Sequence, residues 1–175
     1  MSNKVQIKVR LGSTGSKVYD YRFYVPDELA EQFIDGKDRR IICTFDTFKK
    51  YCALMPSPEG YYILADKKLR KNLQLEVGQE IKVTIEKDES KYGMPVAEEF
   101  AACLELDPEA QEFFEALSPG KQRSLLHIVG KIKSADIRAR RSLAILDHLK
   151  RDANLTDYKG LNQTIKEFNQ RENLF

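Results

Sequence analysis

The hydrophobic pattern of the chain changes its period about halfway along the sequence. Before that point apolar and polar residues alternate, as in VQIKVRL at 5–11. After it apolar residues recur every three or four positions, as in AQEFFEAL at 110–117. The first pattern is typical of a strand with one buried face, and the second of an amphipathic helix. The polar stretch 87–95 separates them, so we expect two domains, 1–92 and 93–175.

The first domain is predicted to be a small β-barrel. Alternating segments between turn residues indicate six or so short strands, at 5–11, 18–25, 40–45, 47–54, 61–65 and 80–86. Two short helices are expected, one capped by Asp27 and one at 66–75. A closed barrel buries such strands and leaves no exposed sheet edge.

The second domain is predicted to be all helical. Asp107-Pro108 and Ser118-Pro119 each place a capping side chain before a proline, which is a strong signal for a helix start. Four to five helices are expected, over 96–106, from 108, from 119, from 134 to about 150, and over 157–169. The predicted fold class is therefore α+β.

Composition narrows the functional classes. No apolar run approaches the about 20 residues that span a bilayer, and the N-terminus alternates in polarity, unlike a signal peptide. We therefore expect a cytoplasmic protein without a membrane span. Cys43, Cys52 and Cys103 are odd in number and widely spaced, so we expect free buried thiols, no zinc site and no cofactor.

No catalytic group is evident. His127 and His148 are the only histidines, and nothing in the sequence places either one beside a carboxylate and a nucleophile. The segment GSTGSK at 12–17 resembles a phosphate-binding loop, but its spacing is short and a strand follows it. A hairpin turn is the better interpretation, so we expect no catalytic residues.

The most distinctive local feature is the basic segment 131–141, KIKSADIRARR. Its arginines bracket a stripe predicted to face inward, Ala139, Leu143, Leu146 and Leu149. Forked guanidinium donors suit the carboxylate or phosphate groups of a partner. The candidate residues for binding an anionic partner are Lys133, Arg138, Arg140 and Arg141, together with Arg70 in the first domain.

The same arginines can instead pair inside the domain. Residues 96–118 hold seven acidic side chains and no Lys or Arg, whereas residues 119–151 hold nine basic side chains and two acidic ones. Helices with such opposite charges complement each other when they pack. Both interpretations stay open, and the charge count favours internal pairing.

The helical half resembles the domain of the YdeI/OmpD-associated proteins. The matching positions are Pro95, Asp107-Pro108, the run Phe114 to Ser118 (FEALS), Lys133, and the run Arg138 to Arg141 (RARR). The first half resembles the uncharacterised β-domain that commonly precedes it, through YVP at 24–26, GYYIL at 60–64, LRK at 69–71 and LEVGQEIKV at 75–83. The resemblance implies a bacterial protein with a suggested link to protection against bacteriocins or cationic peptides, and no agreed activity.

Three functions follow as hypotheses. The first is a non-enzymatic binding or stress-protection protein with an anionic ligand or a protein partner. The second is a homodimeric DNA-binding regulator, because LRKNLQLEVGQEIKV also resembles half of a swapped-hairpin barrel; Arg70, Lys71 or 138–141 would contact DNA. A pI near 8.3 does not favour nucleic acid. The third is an enzyme with a site in the barrel mouth or interdomain cleft, using Tyr19, Tyr21, Asp46 and Arg70.

Overall fold

The computed structural model of the protein describes residues 4–170. The chain divides into two compact units between Glu89 and Ser90, three residues before the expected boundary. The first unit is built around a β-sheet and the second from helices, which confirms the α+β class. No helix in the described residues is both long and apolar enough to cross a bilayer.

The first unit contains one antiparallel sheet curled into a half-barrel. Its strands are β1 (Lys4–Ser13), β2 (Tyr21–Val25), β3 (Arg40–Phe45), β4 (Phe48–Ala53), β5 (Met55–Ser57), β6 (Gly60–Leu64) and β7 (Glu80–Lys87). The order across the sheet is β4-β3-β7-β1-β2-β6-β5. The strand that comes last in sequence, β7, therefore lies inside the sheet, hydrogen-bonded to β1 and β3.

Two details of the sheet differ from the sequence prediction. Strand β5 lies within a stretch that we expected to be only a turn; it pairs with β6, from Met55 opposite Tyr62 to Ser57 opposite Gly60. Pro56 is tolerated there because β5 is the last strand of the sheet. The strand predicted over 18–25 begins only at Tyr21, because the preceding residues form a loop.

Two short helices cover the core of this unit. Helix α1 (Asp27–Ala30) continues into a single 3-10 turn, Glu31–Phe33, which buries Phe33. Asp27 does not cap α1 as expected, since Pro26 occupies that position and no side chain caps the helix. Helix α2 (Lys67–Asn72) is capped by the carboxylate of Asp66, which accepts a hydrogen bond from the Leu69 amide at 2.9 Å.

The second unit contains five helices among the described residues. They are α3 (Glu98–Leu106), α4 (Pro108–Ala116), α5 (Pro119–Gly130), α6 (Ala135–Arg151) and α7 (Tyr158–Gln170). The predicted start signals are confirmed: Asp107 accepts from the Ala110 amide at 3.1 Å, and Ser118 accepts from the Lys121 amide at 3.4 Å. Ser134 likewise accepts from the Ile137 amide at the start of α6, at 3.5 Å. Local capping explains why these three helix starts could be located from sequence.

The buried face of α6 agrees only in part with the predicted stripe. Leu146 and Leu149 are buried as expected, but Leu143 is 51% exposed. Ser142 and Ile145, outside the predicted stripe, are buried. Helix α6 packs against α3, α4, α5 and α7, so its contacts with several neighbours decide which side is covered. At helical spacing, Arg138 continues the buried face toward the N-terminus of α6 rather than lying beside it.

Candidate functional site

Arg138, the first arginine of the predicted cluster, is bound inside the helical unit. Its Nε and Nη2 atoms donate to the two carboxylate oxygens of Glu99 on α3, at 2.8 and 2.7 Å. Its Nη1 donates to the carbonyl oxygens of Ile132 and Lys133, both at 2.9 Å. One side chain therefore joins α3, the turn after α5, and α6. These donors are not free for a partner.

A second ion pair also joins α6 to the acidic segment 96–118. Lys150 near the end of α6 contacts Asp107 at the start of α4, with 2.5 Å between Nζ and Oδ2. This pair and the Arg138–Glu99 pair support the interpretation that the acidic and basic segments complement each other within the unit.

The other members of the cluster do not form an open cationic surface with Arg138. Arg140 and Arg141 are half-buried, and of the four candidates in the helical unit only Lys133, in the turn before α6, is exposed. The Nε atom of Arg141 is enclosed and has no hydrogen-bond partner among residues 4–170. The assignment of these residues to an anionic partner stays a prediction.

The Arg138–Glu99 pair makes the helical unit sensitive to acid. The hydrogen bonds from Arg138 lower the pKa of Glu99 to about 2, from an ordinary value of 4.5. A carboxyl group with a lowered pKa in the folded state stabilises the fold above its unfolded pKa. That stabilisation is lost as the pH falls from 4.5 toward 2. We expect Glu99→Gln to lower the melting temperature at neutral pH and to flatten its fall over this acidic window.

Glu105→Gln is the matched control, because Glu105 is an exposed glutamate on the same helix. Thermal melts of both variants and the parent protein, followed by circular dichroism from neutral to acidic pH, make the comparison. Equal acid slopes for Glu99→Gln and the parent protein would show that the pair does not contribute.

A different arginine, Arg70 on α2, lies in an open groove of the β unit. Its guanidinium carbon is 3.5 Å from the ring centroid of Tyr21, and its Nε donates to the Ala65 carbonyl at 3.1 Å. The groove has a volume of about 280 Å³. The residues that define its character are Lys17, Tyr19, Tyr21, Asp66, Lys67 and Arg70.

One wall of this groove is the loop between β1 and β2, which is organised by Asp20. The Oδ1 atom of Asp20 accepts from the Ser13 hydroxyl and from the amides of Thr14 and Gly15, at 2.7, 2.8 and 2.7 Å. These bonds, led by the one from Ser13, lower the pKa of Asp20. The loop is therefore held by its own hydrogen bonds, and Tyr19 adopts a φ of 56° within it.

The charges in the groove leave an excess of unpaired cations. Asp20 is occupied by the loop, and Asp66 both caps α2 and pairs with Lys50. Within residues 4–170, no ion pair is found for Lys17, Lys67 or Arg70, and the terminal nitrogens of Arg70 donate no hydrogen bond. A guanidinium in this state is suited to bind a carboxylate or a phosphate.

The groove gathers three of the four residues proposed for an enzyme site. Tyr19, Tyr21 and Arg70 line it together. Asp46 does not; it lies in the turn between β3 and β4 and lines a separate cavity of about 540 Å³. Sequence reasoning missed Lys17 and Lys67, because only the folded chain brings the hairpin loop next to α2.

Both histidines lie outside this groove, in the helical unit. His127 is exposed on α5. His148 is buried, with its Nδ1 3.4 Å from the Thr164 hydroxyl and its Nε2 3.9 Å from a carboxylate oxygen of Asp152. The groove of Arg70 thus contains tyrosines and cations without a histidine base.

Fold and groove define a two-unit α+β protein with a cationic, tyrosine-lined groove in its β unit. Residues 94–152 match the model of the family described as "Bacteriocin-protection, YdeI or OmpD-Associated". Residues 7–85 match the family described as "Domain of unknown function (DUF1905)". The two matches cover the same two halves of the chain in which the sequence resembles these families, which confirms the resemblance. No curated protein and no solved structure matches the chain.

Proposed function

We propose that the protein is a non-enzymatic binding protein that takes an anionic group of its ligand into the groove of Arg70. The state of Arg70 carries this proposal. Arg70 is half-buried, its guanidinium is stacked on Tyr21, and no carboxylate of the described residues forms an ion pair with it. A desolvated cation held in a fixed orientation binds an anion more strongly than a mobile surface lysine does.

The surroundings of Arg70 support a ligand with both charge and apolar surface. Lys17 and Lys67 add positive charge along the groove. Val18 and Tyr19 expose more than half of their side-chain surface on the loop that forms the wall. An anionic peptide or another anionic molecule with an apolar part would use both features.

The family description favours a protective role over catalysis. A protein that protects against a bacteriocin can act by binding alone.

The alternatives from the sequence receive less support. In the described residues, β7 finds both of its neighbours, β1 and β3, in the same chain, so the sheet needs no hairpin from a second copy. The homodimeric DNA-binding regulator and the enzyme both stay predictions. The binding experiment includes a duplex oligonucleotide, so it tests the DNA-binding alternative together with the main proposal.

Replacing Arg70 with methionine is expected to weaken ligand binding about ten- to a hundred-fold, since the removed guanidinium is the anchor of the site. Binding is measured by isothermal titration calorimetry or fluorescence anisotropy. The probes are a polyglutamate peptide, phosphatidylglycerol vesicles and a duplex oligonucleotide, each at low and high salt. We expect salt-sensitive binding to at least one probe.

Arg10→Met is the matched control. Arg10 is an exposed arginine on β1 whose contact with Glu80 is long, at 3.9 Å. This variant should bind as the parent protein does. If no probe binds in a salt-sensitive way, or if Arg70→Met binds as well as Arg10→Met, the proposal is wrong.

A further inference from the structure

Two of the three cysteines lie side by side in the sheet of the β unit. Cys43 is on β3 and Cys52 is on β4, and their sulfur atoms are 3.6 Å apart. In the register of these strands, Cys52 lies opposite Ile41 and Cys43 lies opposite Lys50. Residues opposite each other point to the same face of a sheet. Both thiols and the Lys50 side chain therefore share the face that carries the core.

The two thiols have unequal environments. Cys43 is fully buried, whereas Cys52 is only partly buried. The hydrogen bond between the thiols, burial and the neighbouring sulfur raise the pKa of Cys43. The hydrogen bond from Cys43, helped by the ammonium group of Lys50, lowers the pKa of Cys52. Cys52 is therefore the thiol that more readily forms a thiolate, the reactive form of cysteine.

Lys50 is held beside this pair by the N-terminus of α2. Its side chain is only 12% exposed and forms an ion pair with Asp66, the residue that caps α2. A cation fixed near a partly buried sulfur is the usual environment of a reactive cysteine.

We propose that Cys43 and Cys52 form a redox-active thiol pair that a hydroperoxide converts to a disulfide. The Cys52 thiolate attacks one peroxide oxygen, the O–O bond breaks, and the departing oxygen takes up a proton as water or an alcohol. The product is a sulfenic acid on Cys52. The sulfur of Cys43 then attacks that of Cys52, the S–O bond breaks, and hydroxide leaves with the Cys43 proton as a second water. The peroxide is reduced by two electrons as the two thiols are oxidised.

Disulfide closure needs the strands to shift as well as the side chains. A disulfide requires a sulfur–sulfur distance of about 2.05 Å, so the sulfurs must move together by about 1.5 Å. Cys43 and Cys52 are diagonal neighbours across β3 and β4, and such pairs lie farther apart than directly opposite ones. Strand β4 is at one end of the sheet order and is hydrogen-bonded only to β3. An edge strand bonded on one side can shift more easily than a central one.

Cys103 provides an internal comparison. It lies on α3 in the helical unit, and burial and the nearby Glu99 raise its pKa. It is partly buried like Cys52 but has no neighbouring thiol in the described residues. If the protein were generally sensitive to oxidation, Cys52 and Cys103 would be oxidised at similar rates. If Cys43 and Cys52 act as a pair, Cys52 is oxidised faster than Cys103.

The experiment treats the full chain with hydrogen peroxide and follows the free thiols and the intact mass with time. We expect two free thiols to disappear together and the intact mass to fall by two hydrogens. Peptide mapping without reduction should then find the peptides of Cys43 and Cys52 joined by a disulfide. Cys52 should react at least about ten times faster than Cys103. In Cys43→Ala, dimedone should trap a sulfenic acid on Cys52, because the resolving thiol is gone.

A lysine pair tests the charge argument. Lys50→Met should slow the reaction of Cys52 several-fold, while Lys49→Met, on the opposite face of the same strand, should not change it. The wild-type peptide map needs no substitution, so it decides the question even if a variant does not fold. Cys52 converted to higher acids beside a free Cys43, or oxidation no faster than that of Cys103, would overturn the proposal.

Discussion

Replacing Phe114 with alanine is expected to lower the free energy of unfolding by about 3–5 kcal/mol. Phe114 on α4 is fully buried in the core of the helical unit. Its ring meets those of Phe100 and Tyr92 edge to face, with centroids 5.1 and 5.5 Å apart. The substitution removes these contacts and leaves a cavity that the surrounding helices fill only in part. Urea unfolding followed by the helical circular dichroism signal measures the effect.

Leu106→Ala is the control for this experiment. Leu106 ends α3 and is 85% exposed, so truncating it should change the stability by less than about 0.5 kcal/mol. If the two variants unfold at the same urea concentration, the packing of the helical unit is not as described above.

Phe114 belongs to the motif through which the helical domain was recognised from sequence, and the rest of that motif is structural too. Leu117 is buried in the same core. Ser118 caps α5. Arg138, from the second part of the signature, is engaged with Glu99. The positions that carry the resemblance therefore specify how the helices start and pack. This explains why the resemblance indicates a fold and leaves the ligand open.

The parts of the fold that could be predicted from sequence are those set by local interactions. A capping serine and the amide that it binds are three residues apart, as in Ser118 and Lys121, so a short window contains the whole signal. The alternation in β1 is equally local, because one face of the strand is buried along Val9 and Leu11.

The parts that could not be predicted depend on distant contacts. Strand β5 forms because β6 offers it an edge, and three residues with a proline carry no signal of their own. The inward stripe predicted for α6 was right at Leu146 and Leu149 and wrong at Leu143. Apolar residues occupy several sides of that helix, and only its neighbours decide that Leu143 is exposed while Ile145 is buried.

The same limit applies to the candidate sites. Arg138 and Glu99 are 39 residues apart, so the sequence could suggest a pairing of acidic and basic helices but could not identify the partners. Arg70 was one basic residue among many. Arg70 differs from the others because its guanidinium stacks on Tyr21. The nearby carboxylates of Asp66 and Asp20 accept hydrogen bonds from other groups and do not pair with it. A cation becomes a candidate for ligand binding when the neighbouring carboxylates already have partners within the fold and the cation has no ion pair.

Replacing Arg138 with methionine is expected to lower the melting temperature by several degrees and to leave ligand binding unchanged. The substitution leaves the Glu99 carboxylate and the carbonyl oxygens of Ile132 and Lys133 without their donor. A partly buried acceptor that loses its donor destabilises the fold more than removal of both partners does. Arg123→Met, at an exposed site on α5, should melt as the parent protein does.

Combining Arg138→Met with Glu99→Gln separates a structural role from a binding role. If the two side chains act on each other, the double variant loses less stability than the sum of the single variants, because each substitution removes the same interaction. Under the alternative in which Arg138 contacts an anionic partner, the two losses add, and binding to the probes falls at a temperature where Arg138→Met is still folded. If the stability losses are additive and binding is weakened, the arginines of α6 are the binding site. Coupled losses with intact binding would leave Arg70 as the cation on which recognition depends.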